Sequence, residues 1–198
     1  LRIVATLIKP SSGALEIMGV NALENPDIVR RYIGYLPEDA DVYARLSGWE
    51  NLLFYARLVS EDEHEARSMA ELGAEISGLG EALKRKAGTY SRGMRRRLLV
   101  ARTLMLRPKL AILDEPTSGL DVFSAMRVRK IIAEYVKNTG ATVLLSSHNM
   151  LEVEYLCTRV ALINDGKIVA VGTPEELKKS TASENLEEAF IKLLGGMP

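Results

Sequence analysis

The sequence predicts an α/β domain: a mostly parallel sheet flanked by helices, with a helical insertion over residues 38–106. Three observations carry this. Short apolar runs that read as strands, YIGYLP at 32–37, LAIL at 110–113 and ATVLLSS at 141–147, alternate with helical patterns, the arrangement of a sheet covered on both faces. LAIL is apolar throughout, as expected for a strand buried on both sides. Between YIGYLP and LAIL every apolar pattern has helical spacing. A length of 198 residues suits one such domain with an inserted subdomain.

Taken in order, LRIVATLI at 1–8 reads as an apolar helix already under way, with no capping residue ahead of it. Pro10 to Gly13 form a turn. ALEIMGV at 14–20 alternates as a strand, and Asn25-Pro26-Asp27 opens a short helix to about Tyr32. YIGYLP is a strand closed by Pro37. WENLLFYARLV at 49–59 is a helix with Ser47 as cap. EDEHEARSMAELGAEISGLG at 61–80 is an acidic helical pattern broken by glycines, and Tyr90 to Leu106 is a third helix, basic at its start. After LAIL come a helix from Phe123 to Asn138 ended by Gly140, the buried strand ATVLLSS, and a helix from Met150 to Thr158. RVALINDGKIVAVG is a hairpin turning on Asp165-Gly166. TPEELKK at 173–179 starts a helix with Pro174 near its first position, and ENLEEAFIKLLG at 184–195 is a final amphipathic helix.

Composition narrows the function less than the motifs do. The charges cancel, 26 Lys and Arg against 26 Asp and Glu, so net charge points to no partner. Locally they do not: no acid occurs from Lys84 to Lys109. That run reads either as a solvated basic face or as a nucleic-acid surface, and its few aromatics count against nucleic acid. The single cysteine, Cys157, allows no intrachain disulfide, as in a reducing compartment. No apolar run approaches the roughly 18 residues needed to span a bilayer, and the chain does not start with a signal peptide.

The chemistry gathers at strand ends. Asp114 and Glu115 follow LAIL directly, and in open α/β sheets ligands bind beyond the carboxyl ends of the strands. One carboxylate there can hold Mg²⁺, and its neighbour can orient or deprotonate water. The plain alternative is a strand-to-loop junction with two exposed acids. His148, at the end of the next buried strand, can hydrogen-bond a terminal phosphate, although a lone histidine is more often a surface or core residue. Tyr90-Ser91-Arg92-Gly93-Met94 precedes a basic helix, where a hydroxyl and free backbone N–H groups suit an anion; by itself it reads better as a routine helix cap by Ser91.

Taken together, GYLPE at 34–38, YSRGM at 90–94, LAILDEP at 110–116, SGLD at 118–121 and SSHNM at 146–150 resemble the nucleotide-binding domain of an ABC transporter. They match its Q-loop, signature motif, Walker B, D-loop and switch-histidine loop, in order and over essentially the whole chain. The resemblance implies a P-loop NTPase fold of RecA type, with its core at 1–37 and 107–180, a helical subdomain at 38–106 and a C-terminal helix at 181–198. It implies ATP and Mg²⁺, with Asp114 serving the metal, Glu115 as catalytic base and Glu38 reaching a metal-bound water. His148 would contact the γ-phosphate, and Asp121 would lie at a dimer seam. The signature residues Ser91, Arg92, Gly93 and Met94 would face the nucleotide of a second subunit, Ser91 and Gly93 at its γ-phosphate. The implied partners are a second such domain and separate transmembrane permease subunits, met just after Glu38. No nucleic acid is expected, and the expected place is the cytoplasmic face of the cell membrane.

Three departures sharpen the resemblance. The family's glutamine is Glu38, and LSGGQ is YSRGM. Such variants, with the ENLEEAFIKLL ending, resemble drug, polysaccharide or ion exporters whose permease is a separate polypeptide. Third, no GxxxxGK[ST] phosphate loop occurs in the 198 residues. The chain reads as beginning just after Walker A, without the strand that feeds that loop, the adenine-stacking aromatic and most of the antiparallel β-subdomain. Made alone, it is expected to fold poorly, bind MgATP weakly and be inactive, whereas the intact protein is expected to hydrolyse ATP. Other members of the superfamily fit less well. DNA-maintenance ATPases insert long coiled coils, but about fifty residues separate Glu38 from Tyr90 and no heptads run through them. Ribosome-associated members carry two sets of motifs. A non-catalytic partner would not need Asp114, Glu115 and His148 together.

Overall fold

The computed structural model describes residues 1–195, and these divide into two compact units, Leu1–Ser146 and the residues from Ser147 onward. The end of the C-terminal segment, residues 196–198, lies outside the described residues.

The first unit opens differently from its sequence pattern. LRIVATLI makes a single irregular turn instead of a helix: the Ala5 N–H reaches the Leu1 carbonyl at 2.9 Å, and Thr6 then turns left-handed at φ 58°. The segment is short and uncapped, and Ile3, Val4 and Thr6 are stiff β-branched residues, so nothing offsets the cost of nucleating a helix. ALEIMGV is likewise two strands, β1 (Glu16–Ile17) and β2 (Val20–Asn21), in an antiparallel hairpin. Met18 and Gly19, with φ 51° and 75°, have the two positive φ values that a type I′ turn requires. Helix α1 (Pro26–Arg30) follows, with proline in its first turn.

Strands β3 (Ile33–Leu36), β4 (Leu110–Asp114) and β5 (Thr142–Ser146) form a parallel sheet in the order β3-β4-β5. Ala111, Ile112 and Leu113 of central β4 are fully buried. β5 departs from its expected burial: Leu144 is 37% exposed, because this strand pairs only with β4 among the described residues. The register sets Leu36 beside Leu113 and Asp114 beside Ser146, so three carboxyl ends are level.

Between β3 and β4 lie α2 (Gly48–Arg57), α3 (Glu63–Ser77) and α4 (Arg92–Leu104). Ser47 and Glu50 close a reciprocal capping box at the start of α2. Gly73 does not break α3. It lets α3 approach Met105, since a Cβ there would sit 2.8 Å from the Met105 sulfur. The basic run of α4 is not simply a solvated face. Arg95 donates to the Tyr90 and Gly88 carbonyls at 3.2 and 3.3 Å, and Arg97 donates to those of Gly78 and Ser77 at 3.3 and 3.4 Å. Arg102 stacks 4.0 Å from the centre of the Tyr55 ring. Helix α5 (Val122–Thr139) connects β4 to β5 and ends on left-handed Gly140.

The second unit holds α6 (Met150–Leu156), the hairpin of β6 (Val160–Asn164) and β7 (Lys167–Gly172), α7 (Pro174–Ser180) and α8 (Leu186–Leu193). Asp165 and Gly166, at φ 47° and 73°, make the expected two-residue turn. Val153, Val160, Leu162, Leu177, Leu186 and Ala189 form its core. Glu152 of α6 is wholly buried, and neither of its carboxylate oxygens has a hydrogen-bond partner among the described residues.

Candidate functional site

The site grows from the end of β4. The register that sets Asp114 beside Ser146 lets the Ser146 hydroxyl donate to Asp114 Oδ1 at 2.5 Å. On the other side Tyr35, from β3, donates its hydroxyl to Asp114 Oδ2 at 3.3 Å. Burial, and then the charge of Asp114, push the Tyr35 hydroxyl above its ordinary pKa, so it stays a proton donor. The Glu115 N–H donates to the same Ser146 oxygen at 3.1 Å. Glu115 itself has φ 46°, a left-handed conformation that costs a non-glycine residue about 1–2 kcal/mol. That turn carries the chain out of the strand at the carboxylate pair.

Beneath the loop sits Arg96 of α4, 7% exposed. Its Nη2 donates to the carbonyls of Asp114 and Glu115, both at 2.7 Å, and its Nε to that of Pro116 at 2.8 Å. Nη1 reaches the Glu38 carbonyl at 3.3 Å and that of Pro37 at 3.5 Å. An open cavity of about 1090 Å³ lies above, lined by Tyr35, Glu38, Arg92, Arg95, Asp114 and Glu115 among others.

The signature-like and D-loop-like segments pack directly together. Ser91 caps α4 by accepting the Met94 N–H at 3.2 Å. Gly93 touches Ser124, whose Oγ would lie 2.2 Å from any Cβ placed there. Ser124 in turn donates its hydroxyl to Asp121 at 2.6 Å and its N–H at 3.0 Å. Those bonds hold the Asp121 carboxyl below its usual pKa and make it the cap of α5. Arg92 reaches the Ser118 carbonyl at 3.4 Å and covers Gly119, where a Cβ would meet its guanidinium.

The structure therefore brings Glu38, Arg92, Asp114 and Glu115 to one cavity, with Ser91, Gly93, Met94 and Asp121 at the adjoining helix starts. His148 belongs to the second unit; it is exposed, in the bend between β5 and α6. Sequence reasoning missed Tyr35, Ser146 and Arg96. The first two were findable, as residues within GYLPE and SSHNM; Arg96 was hidden inside a run of arginines. Among the described residues no group of three or more His, Cys, Asp or Glu could enclose a metal. Asp114 is a hard oxygen donor held by a hydroxyl on each side.

A strand-end carboxylate pair on a parallel sheet, at a cavity also lined by arginines, is an arrangement with the charges that phosphate and a cation would need. Known proteins specify it further. The ABC transporter family matches residues 1–118. Over 199 residues the chain is 35% identical to the ABC transporter ATP-binding protein NatA of Bacillus subtilis, spanning 100% of this chain and 80% of that protein. It is 40% identical to the daunorubicin/doxorubicin resistance ATP-binding protein DrrA of Streptomyces peucetius, over 94% of this chain and 56% of DrrA. An ATP-binding subunit of an ABC transporter of known structure superposes with a TM-score of 0.78 at 27% identity, covering 98% of this chain and 81% of the other. The chain belongs to the ABC transporter ATP-binding family, and its fold is that family's P-loop NTPase fold. No helix among the described residues is long and apolar enough to cross a membrane.

Proposed function

We propose that the chain supplies the hydrolytic half of the ATP site of an ABC exporter. The observation that carries this is the β4 terminus: Asp114 fixed by two hydroxyls, next to Glu115 in a left-handed turn facing the cavity. Asp114, with Glu38 as a second oxygen donor, would hold Mg²⁺ directly or through water, and the ion when bound would neutralise charge on the phosphates. Glu115 accepts a proton from the attacking water as that oxygen bonds to the γ-phosphorus and the bond to the β-phosphate oxygen breaks. His148 contacts the departing γ-phosphate. Ser91, Arg92, Gly93 and Met94 face the nucleotide of a second domain, with Asp121 at the seam, so ATP closes a dimer and hydrolysis reopens it.

The exporter reading draws on the similarity to DrrA, a daunorubicin/doxorubicin resistance protein, and on the YSRGM variant. Separate transmembrane permease subunits are the partners, met from the cytoplasmic face of the cell membrane. The helices at 38–106 receive them, and the core at 1–37 and 107–180 carries the chemistry. The 198 residues contain no GxxxxGK[ST] cradle, so by themselves they bind MgATP weakly and turn over little or none.

The test is Glu115→Gln in protein that carries this chain and hydrolyses ATP. Turnover should fall roughly 100-fold or more while nucleotide binding persists. Near-unchanged turnover would refute the base assignment.

A further inference from the structure

The three carbonyls that meet Arg96 on β4 belong to consecutive residues, Asp114, Glu115 and Pro116. In an extended strand successive carbonyls point in opposite directions, so one planar group cannot collect three in a row. They converge because Glu115 turns left-handed. A glutamate holds that conformation only where its surroundings over-determine it. Here two groups do so: Ser146 Oγ takes the Glu115 N–H at 3.1 Å, and Arg96 Nη2 grips the Glu115 carbonyl at 2.7 Å. The same guanidinium reaches the Glu38 carbonyl at 3.3 Å, which ties the loop after β3 to the loop after β4.

We infer that Arg96 is a positioning residue for hydrolysis: it clamps the Glu115 backbone in its left-handed turn and so sets the direction of the carboxylate. The inference rests on Glu115 being the base proposed above. Arg96 lines the same cavity, but its Nε and Nη2 are directed at the carbonyls of Asp114, Glu115 and Pro116, and it acts through that loop. Lysine cannot substitute, because a rotating ammonium lacks the rigid planar fork that fits several fixed acceptors at once.

A residue that merely glues α4 to the sheet would lower stability and would affect turnover equally whether or not Glu115 were present. A positioning residue loses its effect once Glu115 is gone. The experiment is therefore a double-mutant cycle with Arg96→Lys and Glu115→Gln in the same ATP-hydrolysing protein that carries this chain, measuring ATP turnover, KM and thermal unfolding. Arg96→Lys should reduce kcat by roughly 10- to 100-fold, the scale of a misplaced catalytic group, with KM within about threefold. In the Glu115→Gln background the same change should alter the residual rate by less than about twofold. Equal losses in both backgrounds, or no loss in the first, would overturn the inference while leaving the base assignment intact. Undiminished turnover of Glu115→Gln alone would remove both. If Arg96→Lys does not unfold cooperatively, Arg96→Gln takes its place in the cycle. In the unsubstituted protein the Arg96 Nε–H should give a solvent-protected NMR resonance, and a freely exchanging one would also overturn the clamp.

Discussion

Two charged side chains are buried in the described residues, one in each unit, and they are opposites. Arg96 spreads its guanidinium over backbone carbonyls of the β3 and β4 ends, groups that have run past their strand partners. Glu152 sits at the third position of α6 with no hydrogen-bond partner for either oxygen among the described residues. Glu176 occupies the same position of α7 and reaches back to the Thr173 N–H at 2.8 Å. The difference teaches that burial of a charge says little until its acceptors or donors are named. A cation placed where strand ends leave carbonyls over is an organising element; a carboxyl group buried without a donor is a cost.

The largest expected effect tests the cation. Arg96→Leu should cost about 3–5 kcal/mol in urea unfolding, the scale for orphaning the partners of a buried charge. A loss under about 1 kcal/mol would mean that water readily replaces the guanidinium. Glu152→Gln tests the anion and should move the other way, raising stability by about 1 kcal/mol through removal of an unpaired charge. Destabilisation instead would show that the carboxylate has a partner, and would erase the contrast.

The smallest effect concerns an exposed but well-bonded acid. The folded pKa of Asp121 lies below its ordinary value, so its contribution is present above the unfolded carboxylate pKa of about 3.9 and is lost as pH falls through the folded value. The melting-temperature gap between wild type and Asp121→Ala should therefore be wider at neutral pH than near pH 3. An equal gap at both would assign the effect to cap geometry alone.

Much of this was legible in the sequence where one local rule was enough. Ser47 as a helix cap, Asp165-Gly166 as a turn and Pro174 near a helix start each followed from one local rule, and the capping boxes with Glu50 and Glu176 came only with the structure. The continuous apolar run of β4 revealed both its burial and the place of Asp114 and Glu115. Legibility failed where a rule needed context. LRIVATLI reads as an apolar helix but is rich in β-branched residues, uncapped and too short. Met18 takes a left-handed turn position that no sequence preference marks. ATVLLSS looked buried because its composition is apolar, yet burial depends on neighbours, and Leu144 stays accessible. Arg96 was the deepest miss. Among arginines 95, 96 and 97 nothing in composition distinguishes the one that faces the strand ends, and only helix phase against the sheet selects it.

Cys157 has a practical consequence. It is the sole thiol in the 198 residues and partly buried, and burial together with the nearby Glu152 charge pushes its pKa up. Since the thiolate is the species that alkylates, this sulfur should react slowly with maleimides at neutral pH. A cysteine placed on an exposed helix position would then take up a fluorophore or spin label almost alone, without first removing the native one.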